Sequence, residues 1–321
     1  MKHKKHYKTT ILTIILILSI QNTITSEQTC KSNLPEPYTT QKYNITHVNF
    51  TSRNHTLYGE IYYPHQMNQS YPLIVCCVGF AGYTDAYNYI PKKLAEHGYI
   101  AFIFDPPGQG RSEGDKPLRS IYLPRLNLYI GPSLIIETPR FFRNREWIKA
   151  TRDAITYIIN ESTVKNITNK NQIGLIGHSL GGITVTEVAA EDTRIKAVVA
   201  LSQGNPKNIE TITIPLQLQA GDMDITTHSI PIVLSCYKKA QTPKQIIIIS
   251  HGTHIGFTTA FAELNPSPSW QKNISLRYAT AWFDYYLKND QNALTNITTS
   301  DENLSKIIKS RYNLDGTEHT L

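Results

Sequence analysis

The residues best suited to chemistry are Gly177-His178-Ser179-Leu180-Gly181. They lie between a strand pattern at 172–176 and an Ala/Val-rich helical pattern at 180–190. A serine on a tight strand-to-helix turn has its hydroxyl lifted clear of the sheet. Glycines two positions to either side leave room where strand and helix pack. The helix N-terminus behind Ser179 favours the negative charge that develops when the hydroxyl attacks. The bland alternative is a Gly-rich turn in some other α/β fold, with Ser179 only capping the helix. A phosphate-binding loop does not fit, because no Lys follows the glycines.

A serine hydroxyl becomes nucleophilic near neutral pH only with a base beside it and an acid orienting that base. Two late segments offer them. The strand pattern at 214–220 ends in Gly221-Asp222-Met223-Asp224, and the one at 245–250 runs into His251-Gly252-Thr253-His254. Asp222 could instead cap its own loop, and His251 sits early for a side chain that must reach over Ser179. His178, inside the elbow, is of the kind that packs or hydrogen-bonds there. His55, His65 and His97 read as surface residues.

These segments need a scaffold. Residues 43–51 and 56–63 read as two strands with Asn54 in the turn. Leu73-Ile74-Val75-Cys76-Cys77-Val78 is a continuous apolar run, the mark of a central buried strand. It ends at Gly79-Phe80-Ala81-Gly82. A helix at 87–97 stops at Gly98, and a strand at 99–104 leads into Asp105-Pro106-Pro107-Gly108-Gln109-Gly110, a loop. Helices at 143–160, 231–239 and 271–288 alternate with strands at 172–176, 195–201, 214–220 and 245–249. Such alternation implies a mostly parallel sheet covered on both faces. Residues 111–140, broken by Pro117, Pro124, Pro132 and Pro139, read as an insertion beside the site. One domain is expected over 43–289, after an extension at 27–42 and before a loose polar tail at 290–321.

Across 43–288 the chain resembles the α/β-hydrolase fold family. The resemblance is carried by Val78-Gly79-Phe80-Ala81-Gly82, Asp105-Pro106-Pro107-Gly108-Gln109-Gly110-Arg111-Ser112, the Ser179 elbow, and a Gly-x-x-Asp and a Gly-x-x-His after late strands. It implies an α/β fold with antiparallel strands at the N-terminal side of a mostly parallel sheet. It also implies a triad of Ser179, Asp224 and His254, preferring Asp224 over Asp222 and His254 over His251. The backbone N–H groups of Phe80 and Leu180 would form the oxyanion hole. Many relatives have His where this chain has Val78, but the donor expected there is backbone. Asp105 is expected to hold a turn and not to take part in chemistry. Only residues 202–213 separate the strands between which relatives often insert a cap, so any cover comes from 111–140. The implied activity is hydrolysis of a carboxylic ester through an acyl-serine. The alternatives are an aminopeptidase-like enzyme cleaving amides with the same triad, and a non-catalytic binding module.

Lys2, Lys4, Lys5 and Lys8 precede an apolar run at 11–20 and polar residues at 21–26. This is a secretion signal pattern, and the run is about half the ~20 residues of a spanning helix. An uncleaved signal anchor is the alternative, and would be the one route to a membrane. The net charge of +7 falls to +3 without the four lysines of residues 1–26, which hold no acid. No basic stripe remains, so nucleic acid is a poor partner, and a small ester or peptide is the expected one. Asn44, Asn49, Asn54, Asn68, Asn160, Asn166, Asn273, Asn296 and Asn303 each open an Asn-x-Ser/Thr sequon. Cys76 and Cys77 read as buried strand residues on opposite faces, which leaves Cys30 with Cys236 as the imaginable disulfide. No His/Cys spacing suggests a metal, and no cofactor is expected.

Overall fold

The computed structural model of the protein describes residues 42–114, 121–123, 128–130, 145–225, 229–259 and 269–321. The signal, the extension with Cys30, and most of the 111–140 insertion lie outside these residues.

The chain opens with an antiparallel hairpin, β1 (Tyr43–Ser52) and β2 (His55–Pro64). β3 (Tyr71–Cys77) is buried along its whole length, as its unbroken apolar run requires. A short helix, α1 (Tyr89–Glu96), leads to β4 (Ile100–Phe104), with Gly98 between them at φ +77°. Within the insertion, β5 (Ile121–Leu123) and β6 (Leu128–Ile130) pair antiparallel in a separate two-stranded sheet. Then come α2 (Arg145–Asn160), β7 (Thr168–His178), α3 (Leu180–Glu191), β8 (Ile195–Leu201) and β9 (Leu216–Gly221). The short connection from β8 to β9 holds one 3-10 turn, Ile209–Thr211, and no cap. α4 (Ser229–Lys239), β10 (Lys244–Ile249) and α5 (Ser269–Lys288) complete the alternation.

The large sheet runs β1-β2-β4-β3-β7-β8-β9-β10, parallel from β4 through β10 and antiparallel at β1 and β2. The chain moves from β3 outward to β4, then crosses back to place β7 on the other side of β3. The carboxyl ends of β3 and β7 thus form the switch point where an open α/β sheet gathers its ligand site. The loops at those ends carry Phe80 and Ser179.

Two apolar layers sandwich the sheet. One packs Ile155 and Ile158 of α2, Val185 of α3 and Val233 of α4 against it; the other packs Leu94 of α1 and Tyr278, Trp282 and Phe283 of α5. Cys77 belongs to the first layer and Cys76 to the second, as neighbours on a strand must. Cys236 is a buried thiol on α4, while Cys30, and with it the Cys30–Cys236 pairing, lies outside the described residues.

The loose tail expected at 290–321 is ordered. It carries α6 (Ala293–Thr298), β11 (Arg311–Asn313) and β12 (Glu318–Thr320), and β11 extends the sheet antiparallel to β10. A bare β10 would leave unpaired backbone groups at the edge. Tail backbone satisfies some of them, with Ser305 N–H donating to Ile248 O at 2.8 Å and Ser250 N–H to Asn303 O at 2.8 Å. Buried Ile297 and Leu304 anchor the segment, too few apolar residues to mark it in a polar sequence.

Candidate active site

β7 delivers the chain to Ser179 under tight constraint. Ser179 sits at φ +56°, a region non-glycine residues rarely occupy. A Cβ on Gly177 would lie 2.3 Å from Gly181 O, and one on Gly181 would lie 2.4 Å from the carbonyl oxygens of Cys77 and Val78. Both contacts are with backbone, so neither glycine could be replaced without moving β3 or α3. Ser179 makes no side-chain cap to α3. Its Oγ instead lies 3.0 Å from His254 Nε2.

On the other side of that ring, His254 Nδ1 lies 2.8 Å from Asp224 Oδ2. A carboxylate only accepts, so this contact places the proton on Nδ1 and leaves Nε2 to accept from the serine hydroxyl. Asp224 and His254 are both buried. Their loops are drawn together by a backbone approach at the ends of β9 and β10. A Cβ on Gly221 would fall 2.1 Å from the Gly252 carbonyl carbon, and Met223 N–H donates to Gly252 O at 3.0 Å.

The two alternative residues go elsewhere. Asp222 Oδ1 accepts the His251 N–H at 2.6 Å, the loop-capping role open to it. His251 is exposed, and its Nδ1 lies 3.0 Å from Ser250 Oγ. His65 and His97 are exposed and His55 partly so.

His178 packs behind His254, their ring centroids 4.6 Å apart. Its Nδ1 is hydrogen-bonded to Tyr87 Oη at 2.8 Å. Burial, with His254 next to it, holds the His178 imidazole well below the usual histidine range. A neutral ring there adds no second positive charge beside His254 when that residue takes up a proton. Burial likewise pushes the Tyr87 phenol up to about 12, so it stays protonated.

Phe80 lies in the turn that follows β3, closed by Gly82 N–H to Gly79 O at 3.0 Å. A Cβ on Gly79 would be 3.4 Å from Ser179 Cβ, so this turn lies against the elbow. Leu180 is the first residue of α3. The backbone of both expected donors thus borders Ser179. Phe80 and Ile225 are large apolar side chains exposed beside the site. Asp105 is fully buried at the end of β4, where Oδ1 accepts the Thr84 N–H at 2.7 Å and Oδ2 the Arg111 N–H at 2.8 Å. Burial pushes its carboxyl up to about 6, against the lowering by those two bonds.

Two buried glutamines escaped sequence reasoning. Gln271 of α5 accepts the Thr253 N–H at 3.1 Å and donates to Thr253 O at 2.9 Å, holding the loop that carries His254. Gln109 bonds the turn that carries Phe80. Only the Gly-Gln-Gly loop motif signalled the second, and nothing local signalled the first. Among the described residues no cluster of His, Cys, Asp and Glu could hold a metal ion, and no helix is long and apolar enough to cross a membrane.

A serine elbow at the switch point of a parallel sheet flanked by helices is the arrangement of the α/β-hydrolase fold. A family model described as alpha/beta hydrolase fold matches residues 72–225, from β3 to just past Asp224. Cutinase 1 of Thermobifida cellulosilytica is 21% identical over 239 residues, covering 72% of this chain and 74% of that protein. A cutinase of Thermobifida fusca is also 21% identical over 239 residues, covering 72% of this chain and 64% of its own length. A bis(hydroxyethyl) terephthalate hydrolase of Streptomyces coelicolor is 19% identical over 238 residues, covering 72% of this chain and 63% of that protein. The chain thus spans less than two thirds of the latter two. The chain has the α/β-hydrolase fold, and these matches support an ester-cleaving serine hydrolase of that kind.

Proposed function

We propose that the protein cleaves carboxylic esters through an acyl-serine intermediate, with Ser179 as nucleophile, His254 as general base and acid, and Asp224 as the group that orients and stabilises the imidazolium. The observation that carries this reading is the hydrogen-bonded row from Ser179 Oγ to His254 Nε2 at 3.0 Å and from His254 Nδ1 to Asp224 Oδ2 at 2.8 Å. In the first half-reaction Ser179 Oγ bonds to the acyl carbon as its proton passes to His254. The carbonyl oxygen becomes an oxyanion facing the N–H groups of Phe80 and Leu180, each worth about 3–4 kcal/mol of transition-state stabilisation. Collapse breaks the bond to the alkoxy leaving group, which takes the proton from His254. Water then repeats the sequence against the acyl-enzyme and releases the acid.

An ester, rather than an amide, is supported by the relative named for bis(hydroxyethyl) terephthalate, itself a carboxylic diester. Export is supported by the basic and apolar N-terminal pattern. A glycosylated exterior is supported by sequon placement: seven of the asparagines are exposed, and Asn44 and Asn303 are partly so.

The test is labelling with a fluorophosphonate, followed by a series of p-nitrophenyl esters and aminoacyl-anilides. Expected are a covalent adduct on the native protein, none on Ser179→Ala, and turnover of esters over anilides. Equal labelling of Ser179→Ala would overturn the nucleophile, and faster cleavage of anilides would overturn the ester.

A further inference from the structure

The turn carrying Phe80 is not self-sustaining. Its third residue, Ala81, stands at φ +60°, where a turn of this kind normally uses glycine. A Cβ there opposes the conformation, and something outside the turn must hold it. One side chain does so at three points. Gln109 Oε1 accepts the Ala81 N–H at 2.7 Å, while its Nε2 donates to Gly82 O at 2.9 Å and to Gly79 O at 3.4 Å. Gln109 is itself buried, so these bonds form away from water and their loss would leave orphaned groups.

The attachment continues along both segments. Asp105 Oδ1 accepts the Thr84 N–H, and Arg111 Nη2 lies 2.6 Å from each carboxylate oxygen of Asp85. The loop after β4 is therefore stitched to the loop after β3 from end to end, with Gln109 at the turn. On the opposite side the turn meets Tyr87, whose Oη would lie 2.8 Å from a Cβ on Gly79.

We infer that Gln109 is a positioning residue for the oxyanion hole: its amide fixes the Gly79–Gly82 turn and so aims the Phe80 N–H at the oxygen of the tetrahedral intermediate. This rests on the ester-hydrolase reading above. The amide touches neither substrate nor Ser179. Its effect should fall on the transition state, because the donor it aims matters most once the carbonyl oxygen carries charge.

The experiment compares the full-length native protein with Gln109→Leu and Gln109→Glu on a p-nitrophenyl ester, and measures inhibition by an alkyl boronic acid, whose serine adduct is tetrahedral. Leu removes all three bonds. Glu keeps an acceptor for Ala81 N–H but turns an oxygen towards two carbonyls, and serves if the Leu variant does not fold. Expected is a kcat at least about 10-fold lower, up to the 10²–10³-fold of deleting a donor, with KM within about threefold and boronate affinity falling in step with kcat/KM. Adding Ala81→Gly, which removes the opposing Cβ, should restore part of kcat in the Leu variant. Native-like kcat and boronate affinity in a folded Gln109 variant would overturn the inference and leave the hydrolase reading standing. So would a loss confined to KM, or no gain from Ala81→Gly. A native protein that turns over no ester would overturn the reading itself.

Discussion

Asp222 and Asp224 are separated by a single residue, Met223, and serve different histidines. Asp222 Oδ1 accepts the backbone N–H of His251 at 2.6 Å, while Asp224 Oδ2 meets the ring of His254 at 2.8 Å. One carboxylate shapes the loop at the end of β10, and the other reaches the imidazole beside Ser179. The difference gives the two positions different mutational signatures.

Asp224→Asn should lower kcat by on the order of 10⁴-fold, because an amide in that place no longer selects the Nδ1–H tautomer or stabilises the imidazolium. Asp222→Asn should keep kcat within about threefold and cost about 0.5–1.5 kcal/mol of stability through its weakened bond to His251 N–H. Steady-state kinetics beside urea unfolding separates the two. A larger loss of kcat in the Asp222 variant would reverse the assignment.

Asp105 supplies a pH signature. Its carboxyl is raised from an ordinary 3.8 to about 6 by burial. The folded state therefore holds this proton more tightly than the unfolded chain does. That contribution is fully present below about pH 4 and is lost as pH rises through about 6, a difference on the order of 3 kcal/mol. Asp105→Asn cannot ionise and lacks the change. Comparing the two by urea unfolding between pH 4 and pH 7, the native protein should lose ground to the variant as pH rises. A stability difference that is flat with pH would show that burial does not raise the Asp105 carboxyl.

Gly181→Ala should damage folding more than an ordinary Gly-to-Ala change in a helix, which stabilises. The new Cβ would stand 2.4 Å from the carbonyl oxygens of Cys77 and Val78. Those atoms belong to the end of a buried strand and cannot swing away. A loss of about 1–3 kcal/mol or more is expected, read as a lowered Tm or a poor soluble yield. An unchanged Tm would mean that α3 can slide.

A chain of buried glutamines ties β9 and β10 to α5 and α6. Gln219 Nε2 donates to Gln217 Oε1 at 2.7 Å, Gln217 Nε2 to Gln245 Oε1 at 2.7 Å, and Gln245 Nε2 to Ile297 O at 2.7 Å. Gln217→Leu should cost about 2–4 kcal/mol, since it strands the groups that Gln217 paired on both sides away from water. Chemical denaturation checks this, and a change under 1 kcal/mol would mean that the chain re-pairs around the gap.

The elements and the candidate nucleophile were legible in the sequence. A seven-residue apolar strand such as β3 and the glycine spacing around Ser179 are local signals, because they arise from packing within one strand, turn and helix. The family resemblance narrowed the candidate acid to Asp222 or Asp224 and the candidate base to His251 or His254, preferring Asp224 and His254. Beyond that, local pattern lost its grip. Leu216-Gln217-Leu218-Gln219 alternates as a half-exposed strand would, yet both glutamines are fully buried, because α5 covers that face and its carbonyls accept from them. The tail after Asn289 is polar, yet it closes the edge beside β10 through backbone bonds that any residue can make. Only tertiary structure brought Ser179 to a histidine 75 residues away and that histidine to an aspartate 30 residues before it. It also set Gln109 and Gln271 on the two loops that flank the serine. The period of a sequence reports which face of one element is apolar. It does not report which elements meet, and the hydrogen-bonded row of Ser179, His254 and Asp224 exists only where they do.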